Sequence, residues 1–135
     1  MALRKLVSDW YRRFVPLRSL GQCGEAAAAR YLRLRGHKIL ARGSRLDHGE
    51  IDLVTLDRKT IVFVEVKTRA SQEMGHPAEA VDLPKQRRLT RLAEMFLKRH
   101  GLCDSPARFD VVAVTWPPGK RRPTIEHFEN AFDAV

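Results

Sequence analysis

The chain has 135 residues, enough for one domain in which helices pack on a sheet. Lys and Arg number 25 against 16 Asp and Glu, a formal charge of +9 that favours phosphate-rich partners through counterion release and steering. No apolar run approaches the roughly 18 residues of a membrane span, no secretory h-region opens the chain, and Cys23 and Cys103 lack zinc-site spacing. A cytoplasmic protein with reduced thiols and no integral membrane association is expected.

Residues 1–19 read as a basic N-terminal extension, with Trp10, Tyr11 and Phe14 set among Arg4, Lys5, Arg12, Arg13 and Arg18. Leu3, Leu6, Val7, Trp10 and Phe14 recur at helical spacing as far as Pro16. The extension either rests on the domain or serves as an arm for nucleic acid or a membrane surface. Residues 20–135 read as a single domain. The alanine-rich run from Leu20 to Arg35 predicts a helix, and Gly36 suits its left-handed C-terminal position. Glu25, Ala28, Ala29 and Leu32 form one stripe, which sets Glu25 on the apolar face. That acid is either favoured there by the helix dipole or reaches a functional site. His37 to Ala41 should open the first strand, followed by a polar, basic loop from Arg42 to His48.

Two runs that otherwise read as buried strand then carry charge: Gly49-Glu50-Ile51-Asp52-Leu53-Val54 and Ile61-Val62-Phe63-Val64-Glu65-Val66-Lys67. An unpaired ion in such a strand costs several kcal/mol, so three carboxylates and a lysine here point to a cation or a reaction. A two-residue loop at Arg58-Lys59, or a four-residue loop over 57–60, predicts a hairpin in which Leu56 faces Ile61, Val54 faces Phe63, Asp52 faces Glu65 and Glu50 faces Lys67. Ile51, Leu53, Val62, Val64 and Val66 should cover the opposite face. Asp52 opposite Glu65 is a repulsive pair, worth on the order of 3 kcal/mol at an effective dielectric near 20, which a divalent cation would reverse.

Residues 70–77 read as loop, with a helical turn from Pro77 to Val81. A second helix starts at Pro84 with Asp82 as its cap, ends at Gly101, and buries Leu89, Leu92, Ala93, Phe96 and Leu97. Its polar surface carries Lys85, Arg87, Arg88 and Arg91 in the first half, as either a solvated face or a phosphate-contacting one. Phe109 to Trp116 and Thr124 to Phe128 read as two further strands joined by a Pro-rich turn, with Asp110 in a structural or ion-pairing role.

An acid on one strand followed by Glu-x-Lys on the next resembles the PD-(D/E)XK phosphodiesterase core of restriction endonucleases and archaeal-type Holliday junction resolvases. Gly24-Glu25, Arg45, Gly49-Glu50-Ile51-Asp52-Leu53, Val62 through Arg69, Lys85 and Arg108-Phe109-Asp110-Val111 further resemble the bacterial YraN-like family over about residues 20 to 132. One position departs: Gly43 stands where that family usually carries Asn, two residues before the arginine matching Arg45.

The resemblance implies a restriction-endonuclease-like α/β fold, a central mixed β-sheet flanked by α-helices, and a metal-dependent endonuclease acting on DNA, including branched or structured forms. Asp52, Glu65 and the Val66 carbonyl would hold Mg²⁺ or Mn²⁺, to which hard oxygen donors are suited. Lys67 would orient the attacking water, and Glu25 and Glu50 would complete the acidic set. Arg45, Thr68, Arg69, Lys85, Arg87, Arg88 and Arg91 would contact nucleic acid, DNA before RNA. A homodimer is left open. So are two other classes: a nucleic-acid-binding protein with the same fold that does not cut, in which Glu50 and Lys67 neutralise each other, and a structural or protein-interaction role.

Overall fold

The computed structural model describes residues 20–46, 49–70 and 81–135. The N-terminal extension, His48 and most of the turn expected before Val81 lie outside the described residues. Helix α1 (Leu20–Leu34) is followed by strands β1 (Lys38–Leu46), β2 (Gly49–Asp57) and β3 (Thr60–Arg69). Helix α2 (Leu83–Arg99) then leads to β4 (Ala107–Thr115) and β5 (Thr124–Phe132). The five strands form one sheet in the order β1-β2-β3-β4-β5, antiparallel except for the parallel β3–β4 pair, with a helix on each face. This is the α/β architecture expected, a mixed sheet flanked by helices.

Alternation along β3 and β4 builds both layers. Val62, Val64, Val112 and Val114 pack with Leu53 against Ala28, Ala29 and Leu32 of α1. Ile61, Phe63, Phe109 and Val111 pack with Val54 against Leu89, Leu92, Ala93 and Phe96 of α2. Gly36 at φ +93 turns the chain out of α1. Asp82 caps α2 by accepting a hydrogen bond from the Lys85 amide at 3.0 Å, one turn ahead of the buried stripe.

The Arg58-Lys59 loop closes the β2–β3 hairpin with Asp57 opposite Thr60, Leu56 opposite Ile61 and Val54 opposite Phe63, as the loop length requires. The ladder ends at Leu53 opposite Val64. Beyond that point β2 leaves β3, so Glu50 and Lys67 are not cross-strand partners, and Asp52 meets Glu65 through space rather than across a ladder. Ile51 also changes face: it joins Val54 and Leu92 in the α2-side core instead of following Leu53. Arg42 to Leu46, expected as loop, are strand instead. They continue β1 and pair with β2 as far as Leu46 opposite Gly49. Within this stretch Gly43 has φ +54, a left-handed conformation that glycine and asparagine adopt most readily. The Gly43 departure therefore keeps the backbone type the position needs.

Candidate active site

Where β2 splays away, β3 keeps β4 on one side and loses its partner on the other. The Val66 amide, which would have bonded to β2, donates instead to Asp52 Oδ2 at 2.9 Å. Because the N–H and C=O of one strand residue point the same way, the Val66 carbonyl opens onto the same gap. The N-terminal part of α1 covers this end. Gly24 is buried there, and a Cβ on it would fall onto the Thr68 side chain, 2.9 Å from Thr68 Cβ. Only glycine lets α1 come this close, and the approach carries the next residue, Glu25, to the gap.

Glu25, Asp52 and Glu65 consequently share one electrostatic environment although they come from three elements. Burial, then the Glu65 charge and the Glu25 charge push the Asp52 carboxyl up to about 7 against the pull of the Val66 amide and Lys85. Burial and the neighbouring Glu50 and Glu65 raise Glu25, against a hydrogen bond from Asp52 and the Arg42 charge. From the α2 side, Lys85 Nζ lies 2.6 Å from Glu65 Oε1, with both side chains mostly covered. Lys67, two residues beyond Glu65 on the same face of β3, is half-buried and forms no ion pair or hydrogen bond among the described residues.

The structure thus brings together Glu25, Asp52, Glu65 and Val66 with Lys67 beside them, and leaves the exposed Glu50 at the rim. A carboxyl pushed up to about 7 by burial and by two neighbouring acids is one whose ionised form a cation would favour. The donor set fits a hard divalent ion in kind: two or three carboxylates and a strand carbonyl on the same side. Among the described residues no three acidic, His or Cys side chains converge tightly enough to enclose an ion, because Lys85 holds Glu65 and the Val66 amide holds Asp52.

The nucleic-acid contacts divide. Arg87, Arg88 and Arg91 are exposed on α2 as a contact surface requires. Lys85, expected on that surface, reaches into the acidic cluster instead. Arg69 is corrected: it is only 6 % exposed and its Nε donates to Thr115 Oγ1 at 3.1 Å, so it ties β3 to β4. Thr68 lies beneath α1 rather than on an open surface. The Arg45 side chain lies outside the described residues. Arg42, absent from the sequence expectation, is the cation that acts on Glu25. Its position on an edge strand, read as loop, hid it.

The model of the uncharacterised protein family UPF0102 matches residues 24–114. The chain belongs to this family. A UPF0102 protein of Rhodopirellula baltica is 47% identical over 137 residues, covering 96% of this chain and 82% of that protein. One from Symbiobacterium thermophilum is 48% identical over 118 residues, covering 87% and 98%. Among solved structures, Pyrococcus furiosus SfsA in complex with Ca²⁺ aligns with 82% of this chain and 62% of its own, at a TM-score of 0.37 and 13% identity. The UPF0102 match runs from Gly24, at the close approach of α1, through the whole acidic gap and α2 to Val114, and leaves β5 outside. No helix among the described residues of this UPF0102 protein is long and apolar enough to cross a membrane.

Proposed function

We propose that the protein is a divalent-metal-dependent endonuclease that hydrolyses phosphodiester bonds in DNA, branched or structured forms included. The observation that carries this reading is the splayed strand. There Asp52 accepts from the Val66 amide and feels the charges of Glu65 and Glu25, and Lys67, without an ion pair among the described residues, stands two residues from Glu65. A Mg²⁺ or Mn²⁺ ion held by Asp52, Glu65 and the Val66 carbonyl would act as a Lewis acid on the scissile phosphate. Lys67 orients the attacking water and offsets the negative charge that grows on the phosphoryl oxygens. The water oxygen bonds to phosphorus, the bond to the 3′ oxygen breaks, and that oxygen takes a proton, leaving a 5′-phosphate and a 3′-hydroxyl. Glu25, whose carboxyl is raised by burial and by Glu50, adds a third carboxylate at the edge of the site. Arg87, Arg88 and Arg91 steady the substrate through its phosphates.

The test is a panel of labelled linear, flapped and four-way-junction DNA, incubated with and without Mg²⁺ or Mn²⁺. Metal-dependent cleavage lost in Asp52→Asn and in Glu65→Gln is expected. Binding without cleavage of any member would overturn the reading in favour of a non-cutting nucleic-acid-binding protein. The Lys85–Glu65 ion pair is the feature that favours that second class, since it supplies a cation from the chain itself.

A further inference from the structure

A second surface runs along the face of the sheet covered by α1, with Trp116 at the end nearest the acidic gap. Arg30, Tyr31 and Leu34 of α1 stand across from Trp116, Arg121 and Arg122, and the groove between them has a volume of about 630 Å³. Among the described residues no carboxylate lines it, whereas three arginines do. Leu34 is 80 % exposed at one wall, a large apolar side chain left without cover among the described residues. Trp116 is anchored rather than loose. One side packs on the Val112 and Val114 layer, and its indole N–H donates to the Arg121 carbonyl at 3.4 Å. Its own amide donates to the Arg69 carbonyl at 2.9 Å, so the ring is rooted where β3 leaves the acidic gap. The α1 wall begins at Cys23, two residues before Glu25.

We infer that this groove binds single-stranded nucleic acid, a base stacking against Trp116 while Arg30, Arg121 and Arg122 hold the flanking phosphates. The choice of nucleic acid rests on the proposed function. Stacking on a fixed aromatic ring is available to every base, and clustered arginines pair with phosphate, so an aromatic-basic groove without acids suits an unpaired strand more than a peptide or a duplex. The exposed arginines of α2 lie on the opposite face of the sheet, with the acidic gap between the two surfaces. A duplex held by α2 and an unpaired strand held by the groove would meet at that gap, so the substrate class becomes DNA with a junction between paired and unpaired segments.

The chain has two tryptophans, Trp10 and Trp116, so Trp10→Phe leaves Trp116 as the sole indole reporter. In this background, without divalent metal, an oligothymidylate of about 16 nucleotides should quench the fluorescence saturably, while a blunt duplex of equal length should not. Arg121→Glu with Arg122→Glu should weaken oligothymidylate binding about tenfold or more, and these exposed turn residues spare the core. Absent quenching, equal quenching by the duplex, or unaltered affinity in the charge-reversed variant would overturn the groove. Because this readout involves no cleavage, quenching without nuclease activity would sink the nuclease reading and keep the groove. Cleavage without quenching would do the reverse.

Discussion

Asp52 is the residue on which the site's charge turns. Its folded-state carboxyl is raised to about 7 by burial and by Glu65 and Glu25, above the ordinary range. Its contribution to stability is therefore fully present below that ordinary range and lost as the pH rises through about 7. Asn at this position keeps an oxygen for the Val66 amide and removes the charge. In metal-free buffer Asp52→Asn should gain on wild type by about 4 kcal/mol at pH 8 and by less than about 1 kcal/mol at pH 4, as read by urea denaturation. Adding Mg²⁺ should narrow the gap, because a bound cation favours the ionised wild-type carboxyl. Lys67 answers a different question. It has no ion-pair partner among the described residues, so Lys67→Ala should leave the melting temperature within a few degrees of wild type and abolish cleavage. Even a surface pair with the exposed Glu50 would have been worth only about 1 kcal/mol or less, so loss of cleavage is the readout that separates the roles.

At the scale of elements, α1 is positioned by one missing methyl group. Gly24→Ala should destabilise the protein by about 1–3 kcal/mol, because the new Cβ meets Thr68 and α1 must lift off β3. Thr68→Ala should restore only part of this, since Thr68 Cβ itself stands 2.9 Å from the added atom; thermal melts of the single and double variants measure it. Helix α2 contributes through charge. If Arg87, Arg88 and Arg91 each meet a phosphate, replacing all three by Ala should flatten the log–log dependence of duplex affinity on salt by about 2.7. An unchanged slope would move the duplex to another face. Both helices and the hairpin register were legible in the sequence, because capping residues, apolar stripes and a two-residue loop act locally. The continuation of β1 through Arg42-Gly43-Ser44 was not legible: an edge strand has no second neighbour to bury its side chains, so it reads as loop. Nor was the parting of β2 from β3 after Leu53, which depends on α1 and on β4 holding β3 from the far side. The acids were found, but the elements that gather them came from tertiary contacts. Burial of Arg69 had no local signal.

Across the whole molecule the two ends of the sheet solve opposite charge problems. At the end remote from the acidic gap, Asp110 is fully buried and completely partnered, accepting from Arg108 Nε and the Asn130 amide at 3.0 Å each, with His127 Nε2 2.7 Å away. Burial pushes its carboxyl up, but His127, Arg108 and Asn130 together bring it below the usual range. Its stabilisation is present above the ordinary carboxylate pKa and fades as the pH falls through the depressed one. Asp110→Ala leaves Arg108 with Asp57 alone and deprives the mostly covered His127 of this carboxylate, and should cost about 3 kcal/mol by denaturant titration, with no part in metal affinity. This end is closed by its own ion pairs; the other is left open along one seam. That seam also turns a backbone amide into a messenger. The Val66 N–H answers to a carboxylate rather than a carbonyl, so its proton chemical shift and its rate of exchange with solvent should follow the ionisation of Asp52. In two-dimensional NMR spectra one crosspeak would then trace both the titration near neutral pH and the arrival of a cation, in a protein that needs no added label beyond nitrogen-15.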